Sequence, residues 1–137
     1  MPVCYITRVE DFCASHRLHS PLLTDEENRA LYGKCNNVNG HGHNYRLYVT
    51  VRGEVDPRTG MLIELNQLAG LIREAITDQV DHLNLNIDVA FLQGVIPTAE
   101  NLCQAFWQQL EGRLPTGELW EIRLEETGRN IVSLRRE

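Results

Sequence analysis

Residues 33–52 read GKCNNVNGHGHNYRLYVTVR. The second half alternates. His43, Tyr45, Leu47, Val49 and Val51 fall on one parity, and Asn44, Arg46, Tyr48, Thr50 and Arg52 on the other. Successive side chains of a strand point to opposite faces, so this run predicts a long strand with one buried face. The first half is polar and holds Cys35, His41 and His43. The two histidines therefore open the strand on the parity of its apolar face.

The flanking segments supply the rest of the fold. Residues 3–18 alternate loosely and predict a first strand, with Phe12, Ala14, His16 and Leu18 on one face. Thr24 followed by Glu27 is a capping-box pattern that opens a short helical turn. The DPRTG segment (56–60) is a turn, and MLIEL (61–65) predicts a short strand after it. Leu68, Leu71, Ile72, Ala75 and Ile76 form a helical stripe over 66–79, with Asn66 as its N-cap. Residues 80–97 are irregular. Thr98 then caps a second helix carrying Leu102, Ala105, Phe106 and Leu110 and ending near Gly112. Strands over 118–127 and 130–135 close the chain. This order implies an α+β fold, one antiparallel sheet with the helices on one face. Without repeats or linkers, residues 1–137 read as one domain.

Bulk properties narrow the function. The chain has 137 residues, 42% hydrophobic content and a formal net charge of −6. It can bury a core, and its acidity disfavours a nucleic-acid partner. No apolar run is long enough for a membrane span, and MPVCYITRVEDF has no basic start or apolar stretch of a signal peptide. Cys4, Cys13, Cys35 and Cys103 form no CxxC pair, which suits a reducing, cytoplasmic setting. Cys4, Cys13 and Cys103 sit among apolar residues and are expected in the core.

His41 and His43 lie about 6–7 Å apart along a strand and on one face, close enough to share a metal ion. Two surface histidines would give the same pattern. His16, on the apolar parity of the first strand, is the best third ligand, because an ionisable group on a core face needs a partner. Three histidines leave a fourth position open, as in catalytic zinc sites. His19 has the opposite parity and is expected in solvent. Cys35 could be a fourth ligand, or a thiol that accepts a proton or attacks as a nucleophile. In Asp81-His82 the carboxylate could orient the imidazole, or the pair could be loop residues. Trp120, Ile122, Leu124 and Glu126 share a parity, so Glu126 ends the more apolar face of its strand. It lies either at a wet rim or is held for a ligand that donates hydrogen bonds.

ASHRLHS (14–20), the block from Gly33 to Met61, DHLNLN (81–86), PTAEN (97–101) and EETGRNI (125–131) together resemble the 6-pyruvoyl-tetrahydropterin synthase family. The resemblance runs in order from Phe12 to Glu137. It implies the tunnelling fold, a four-stranded antiparallel sheet with two helices on one side. Three such sheets join into a barrel, and two trimers stack into a homohexamer. It implies Zn2+ held by His16, His41 and His43, with Cys35 as the proton-abstracting group and Asp81 and His82 as its relay. It implies pterin binding by Glu126, Thr98 and Glu100; Ala99 stands where the family has a second threonine. The implied reaction converts the small molecule 7,8-dihydroneopterin triphosphate to 6-pyruvoyl-tetrahydropterin with loss of triphosphate, a lyase reaction of tetrahydrobiopterin synthesis. A sister enzyme, 6-carboxy-tetrahydropterin synthase of queuosine synthesis, takes the same substrate and releases acetaldehyde. The five residues between Cys35 and His41 favour the pyruvoyl enzyme. A zinc- or pterin-binding protein without turnover is the reading from another class. Lys34, Arg46 and Arg129 are the cations nearest these motifs.

Overall fold

A computed structural model describes residues 2–137. Its sheet has five strands in the order β3-β1-β2-β4-β5. Four are long: β1 (Cys4–His16), β2 (His41–Gly53), β4 (Glu118–Thr127) and β5 (Asn130–Arg135). They pair antiparallel, as the order of elements predicts. The fifth, β3 (Leu83–Asn84), is two residues long and pairs parallel to Ala14 and Ser15. It comes from the segment expected to be irregular, and a two-residue strand leaves no periodic signal to read.

The β1–β2 register aligns Phe12 with Tyr45, Ala14 with His43 and His16 with His41. The apolar parities of both strands thus share one face. Phe12, Ala14, Tyr45, Leu47, Val49 and Val51 are buried there in one core with residues of the helices. The helices over residues 65–80 and 99–110 cover this face. A separate short helix, α1 (Asp25–Tyr32), contributes nothing to that core and opens at Thr24 with the full capping box: Glu27 N–H donates to Thr24 Oγ1, and Thr24 N–H to Glu27 Oε1. The last, α4 (Ala99–Leu110), starts at Thr98 as predicted and sets Phe106 edge-on to Phe12.

The middle of the chain departs from expectation. Residues 61–65 make no strand; Met61 forms a single bridge to Asp56, and Leu62 and Ile63 are buried in a bend. Helix α2 begins at Leu65, and its cap is Glu64 rather than Asn66. The Glu64 carboxylate accepts from the N–H groups of Asn66 and Gln67, and a carboxylate also suits the positive end of the helix. After Ile72 the helix widens into a π-helical stretch, Arg73–Thr77, before a last turn, α3 (Asp78–Val80). Gln109 of α4 donates its side-chain amide to the Ala75 carbonyl in that stretch.

In β4, a register shift separates Thr50↔Glu121 from Val51↔Leu119, leaving Trp120 as an extra residue. Leu119 therefore joins Ile122 and Leu124 in the core, and Trp120 turns to the other face against Tyr5 and Arg135. Strict alternation had placed Trp120 with Ile122, and a bulge inverts that parity. Of the cysteines expected in the core, only Cys103 is buried; Cys13 is half-buried and Cys4 exposed, both outside the helices' cover. Among the described residues no helix is long and apolar enough to cross a membrane.

Candidate active site around three histidines

The paired ends of β1 and β2 determine which side chains meet. His16 faces His41 across the ladder, and His43 lies two residues along on the same parity. The three rings pack edge-on with centroids 4.7 to 5.1 Å apart. One candidate ligand atom from each lies within 4.8 Å of the others. Gly40 allows the return to His41: its φ is 75°, and a Cβ there would sit 3.0 Å from the His16 carbonyl oxygen.

The donor chemistry fits a metal ion. His16 is fully buried, and its Nδ1–H donates to the Pro97 carbonyl at 2.7 Å. That bond fixes the tautomer and leaves the Nε2 lone pair directed at His41 Nε2, 3.1 Å away. Tetrahedral zinc with nitrogens at 2.0–2.1 Å would set neighbouring nitrogens about 3.3 Å apart. His41 Nδ1 and His43 Nε2 are also buried and lack a hydrogen-bond partner among the described residues. Orphaned buried nitrogens of this kind are costly unless something binds them. Burial, opposed by the Pro97 carbonyl and aided by the neighbouring His41 and His43, lowers the pKa of His16 to about 4. His43 is lowered as well, chiefly by burial, with Glu126 opposing. Neutral imidazoles are the form that a metal takes.

Glu126 stands over the cluster. Its two carboxylate oxygens lie 3.9 Å from His16 Nε2 and from His43 Nε2. The side chain is therefore held at the histidines rather than at a wet rim. Beneath it, Tyr45 stacks on Phe12 and brings its hydroxyl 3.4 Å from His16 Nδ1.

Cys35 lies in a 3₁₀ turn, Gly33–Asn36, and is half-buried. It lines a cavity of about 540 Å³ together with Lys34, Gly40 and His41. It is not one of the clustered ligand groups. Asp81 and His82 pair as expected, Nδ1 to Oδ1 at 3.0 Å. Asp81 also accepts from the Cys13 N–H, which lowers its pKa first, with His82 adding to the effect. This pair lines a different cavity, of about 530 Å³, with Cys13, Asn44, Arg46 and Glu125. Within one chain the structure does not bring Cys35 and the Asp81-His82 pair to one site.

Thr98 spends its hydroxyl on the Asn101 N–H, and Glu100 is exposed on the first turn of α4. Arg46 is engaged by Asp11, Lys34 is exposed beside Cys35, and Arg129 sits in the β4–β5 turn. His19 lies in the loop after β1, half-buried, and its Nδ1 accepts from the Asn36 side-chain amide. The sequence offered no sign of the Pro97 carbonyl that fixes His16, because a backbone acceptor carries no residue-type signal.

Residues 5–137 match the protein family described as 6-pyruvoyl tetrahydropterin synthase. The chain is 51% identical over 133 residues to the 6-pyruvoyl tetrahydrobiopterin synthase of Poecilia reticulata, covering 97% of this chain and 90% of that one. It is 49% identical over 127 residues to the enzyme of the same name from Homo sapiens, covering 93% and 88%. The solved structure of Caenorhabditis elegans 6-pyruvoyl tetrahydropterin synthase superposes with a TM-score of 0.93 at 41% identity, over 100% of this chain and 98% of that one.

Proposed function

The chain belongs to the 6-pyruvoyl tetrahydropterin synthase family, and from that premise we propose that it converts 7,8-dihydroneopterin triphosphate to 6-pyruvoyl-tetrahydropterin, releasing triphosphate. The observation that carries this reading is the convergence of His16, His41 and His43, with Cys35 in the cavity next to His41.

His16, His41 and His43 would hold Zn2+, which supplies Lewis acidity toward the side-chain hydroxyls of the substrate. The Pro97 carbonyl keeps His16 in the tautomer whose Nε2 is free. Glu126 accepts from the two-donor edge of the pterin, a ring N–H beside an amine, as a carboxylate does from arginine. Thr98 and Glu100, at the start of α4, contribute to pterin binding. Cys35 removes a proton from the substrate side chain, and His82, oriented by Asp81, returns or accepts the others. The electrons balance within the substrate: two side-chain carbons are oxidised to ketones, one electron pair reduces the ring C=N, and the other reduces the terminal carbon to a methyl group as its bond to triphosphate breaks. No external reductant is required.

We place the working site between chains of a homohexamer built from one-domain subunits. The separate cavities of Cys35 and Asp81-His82 support this placement, since a relay between them needs a second copy. The edge strands left open in one chain support it too. The cytoplasm is the expected compartment.

The test is anaerobic incubation with 7,8-dihydroneopterin triphosphate and mass spectrometry of the product, with and without a zinc chelator. A pyruvoyl-tetrahydropterin that disappears with the chelator supports the proposal. A carboxy-tetrahydropterin with acetaldehyde would transfer the protein to the sister reaction and leave the residue roles in place. Bound zinc without turnover would defeat the enzymatic reading.

A further inference from the structure

The loop that carries Cys35 is fastened to the three residues following His16. Leu18 N–H donates to the Cys35 carbonyl at 2.9 Å. The Asn36 side-chain amide donates to the Leu18 carbonyl at 2.7 Å and contacts His19 Nδ1 at 3.0 Å. Arg17 Nε donates to the Asn36 carbonyl at 3.0 Å. Arg17 is itself held on its backbone, its N–H donating to Asn86 Oδ1 and its carbonyl accepting from Asn86 Nδ2. Asn36 is buried, at 6% exposure, although it lies in a polar loop between half-buried Cys35 and exposed Asn37. A buried amide with its donors spent on one strand end is a fastening, because releasing it would strand polar groups.

We propose that Asn36 is a positioning residue for the reaction: its side chain locks the Cys35 turn to the strand end that carries His16 and so fixes the thiol relative to the metal-binding histidines. The inference rests on the reading of Cys35 as the proton-abstracting group. Both ends of the loop meet the same segment. Asn36 is tied to Leu18 and His19, and Gly40 packs against the His16 carbonyl. The thiol is therefore referenced to His16 on one side and to His41 on the other. Two further bonds reach the strand end, Leu18 N–H to the Cys35 carbonyl and Arg17 Nε to the Asn36 carbonyl, and local turn bonds join Asn37 to Lys34 and Gly40 to Asn37. Without the Asn36 amide the turn would persist on those contacts, and its distance from His16 would be set less tightly. Displacements near 1 Å in a proton-transfer site cost about 100-fold in rate.

The test uses the metal-loaded full chain. In Asn36→Ala, kcat should fall about 10- to 100-fold with KM within about twofold. Metal per chain should stay at the wild-type value. Alkylation of Cys35 by iodoacetamide, followed by peptide mass spectrometry, should change several-fold and lose its sensitivity to added zinc, while exposed Cys4 serves as the unchanged control. Arg17→Met removes only the guanidinium contact and should shift both readouts the same way by less. A folded Asn36→Ala with wild-type kcat and wild-type Cys35 alkylation overturns the proposal, as does a kcat loss that merely follows metal loss. If Asn36→Ala does not fold, wild-type values for both readouts in Arg17→Met overturn it instead. If Cys35→Ala retains turnover, the assignment of the base falls, and the alkylation comparison alone then decides whether Asn36 holds the thiol.

Discussion

The histidine cluster should make the metal-free protein sensitive to acid, and the share of His16 can be worked out from its burial. His16 is fully buried, donates Nδ1–H to Pro97, and points Nε2 at another ring nitrogen. A proton on Nε2 would introduce a buried charge facing His41. The unfolded chain has no such restriction, so His16 binds its proton near 6.5 unfolded and near 4 folded. Between those values the unfolded state holds more protons, and stability falls as pH falls. The contribution is complete above about pH 6.5, is lost progressively toward pH 4, and amounts in full to roughly 3 kcal/mol. Glu126 could oppose this, but it stands at 3.9 Å, the outer limit of an ion pair, and burial outweighs it. Urea unfolding of chelator-treated protein at pH 7 and pH 4.5 checks the argument against His16→Gln, which cannot titrate. The wild type should lose roughly 2.5 kcal/mol more than the variant over that interval. Parallel losses in the two proteins would mean that His16 accepts a proton without cost, and the reasoning from burial would be wrong.

Other consequences concern the proposed roles. Cys35→Ala should keep its metal by elemental analysis and lose turnover; loss of metal would make Cys35 a ligand instead. Glu126→Gln should keep its metal and bind pterin about 10- to 100-fold more weakly by calorimetry, the worth of a charge-assisted hydrogen-bond pair. Unchanged affinity would remove Glu126 from the pterin site. His82 has a φ of 61°, a region that asparagine tolerates and β-branched residues do not. His82→Val should therefore unfold about 1–2 kcal/mol more easily than His82→Asn, and equal stability would argue against this backbone conformation.

The long strands were legible because half-buried strands alternate, and β4 and β5 end where the sequence reading placed them. The histidine cluster was legible for the same reason: His16 and His43 lie on the apolar parities of their strands, and the ladder pairs those faces. Legibility ended where a residue's role comes from context. Glu64 displaces Asn66 as the cap because the chain enters the helix two residues earlier, and a carboxylate can cap as an amide does. Trp120 fell on the wrong face because a bulge changes parity without a mark in composition. His19 was placed in solvent by parity and by its position after the strand end, and its contact to Asn36, seventeen residues away, arrives through a loop that neither signal encodes. Adjacent residues normally diverge, but the left-handed conformation at His82 turns its ring back to Asp81.

The separation of Cys35 from Asp81-His82 can be turned into a quantitative test of the assembly. The Cys35 cavity includes His41, whose side chain belongs to the helix-covered face of the sheet. The Asp81-His82 cavity is lined by Asp11, Cys13, Asn44, Arg46 and Glu125 on the opposite parity, together with Phe12 and Tyr45. The two groups therefore line separate cavities of one chain. If each site takes Cys35 from one subunit and His82 from another, Cys35→Ala and His82→Asn are each inactive alone but complement each other. After unfolding and refolding an equal mixture, random assembly gives about a quarter of the sites an intact pair, so about a quarter of wild-type activity should return. Refolding each variant separately should return none. Absence of activity in the mixture, with light scattering showing that oligomers had formed, would refute a site shared between subunits. The dyad would then have to serve the chain that carries it in some way other than through Cys35.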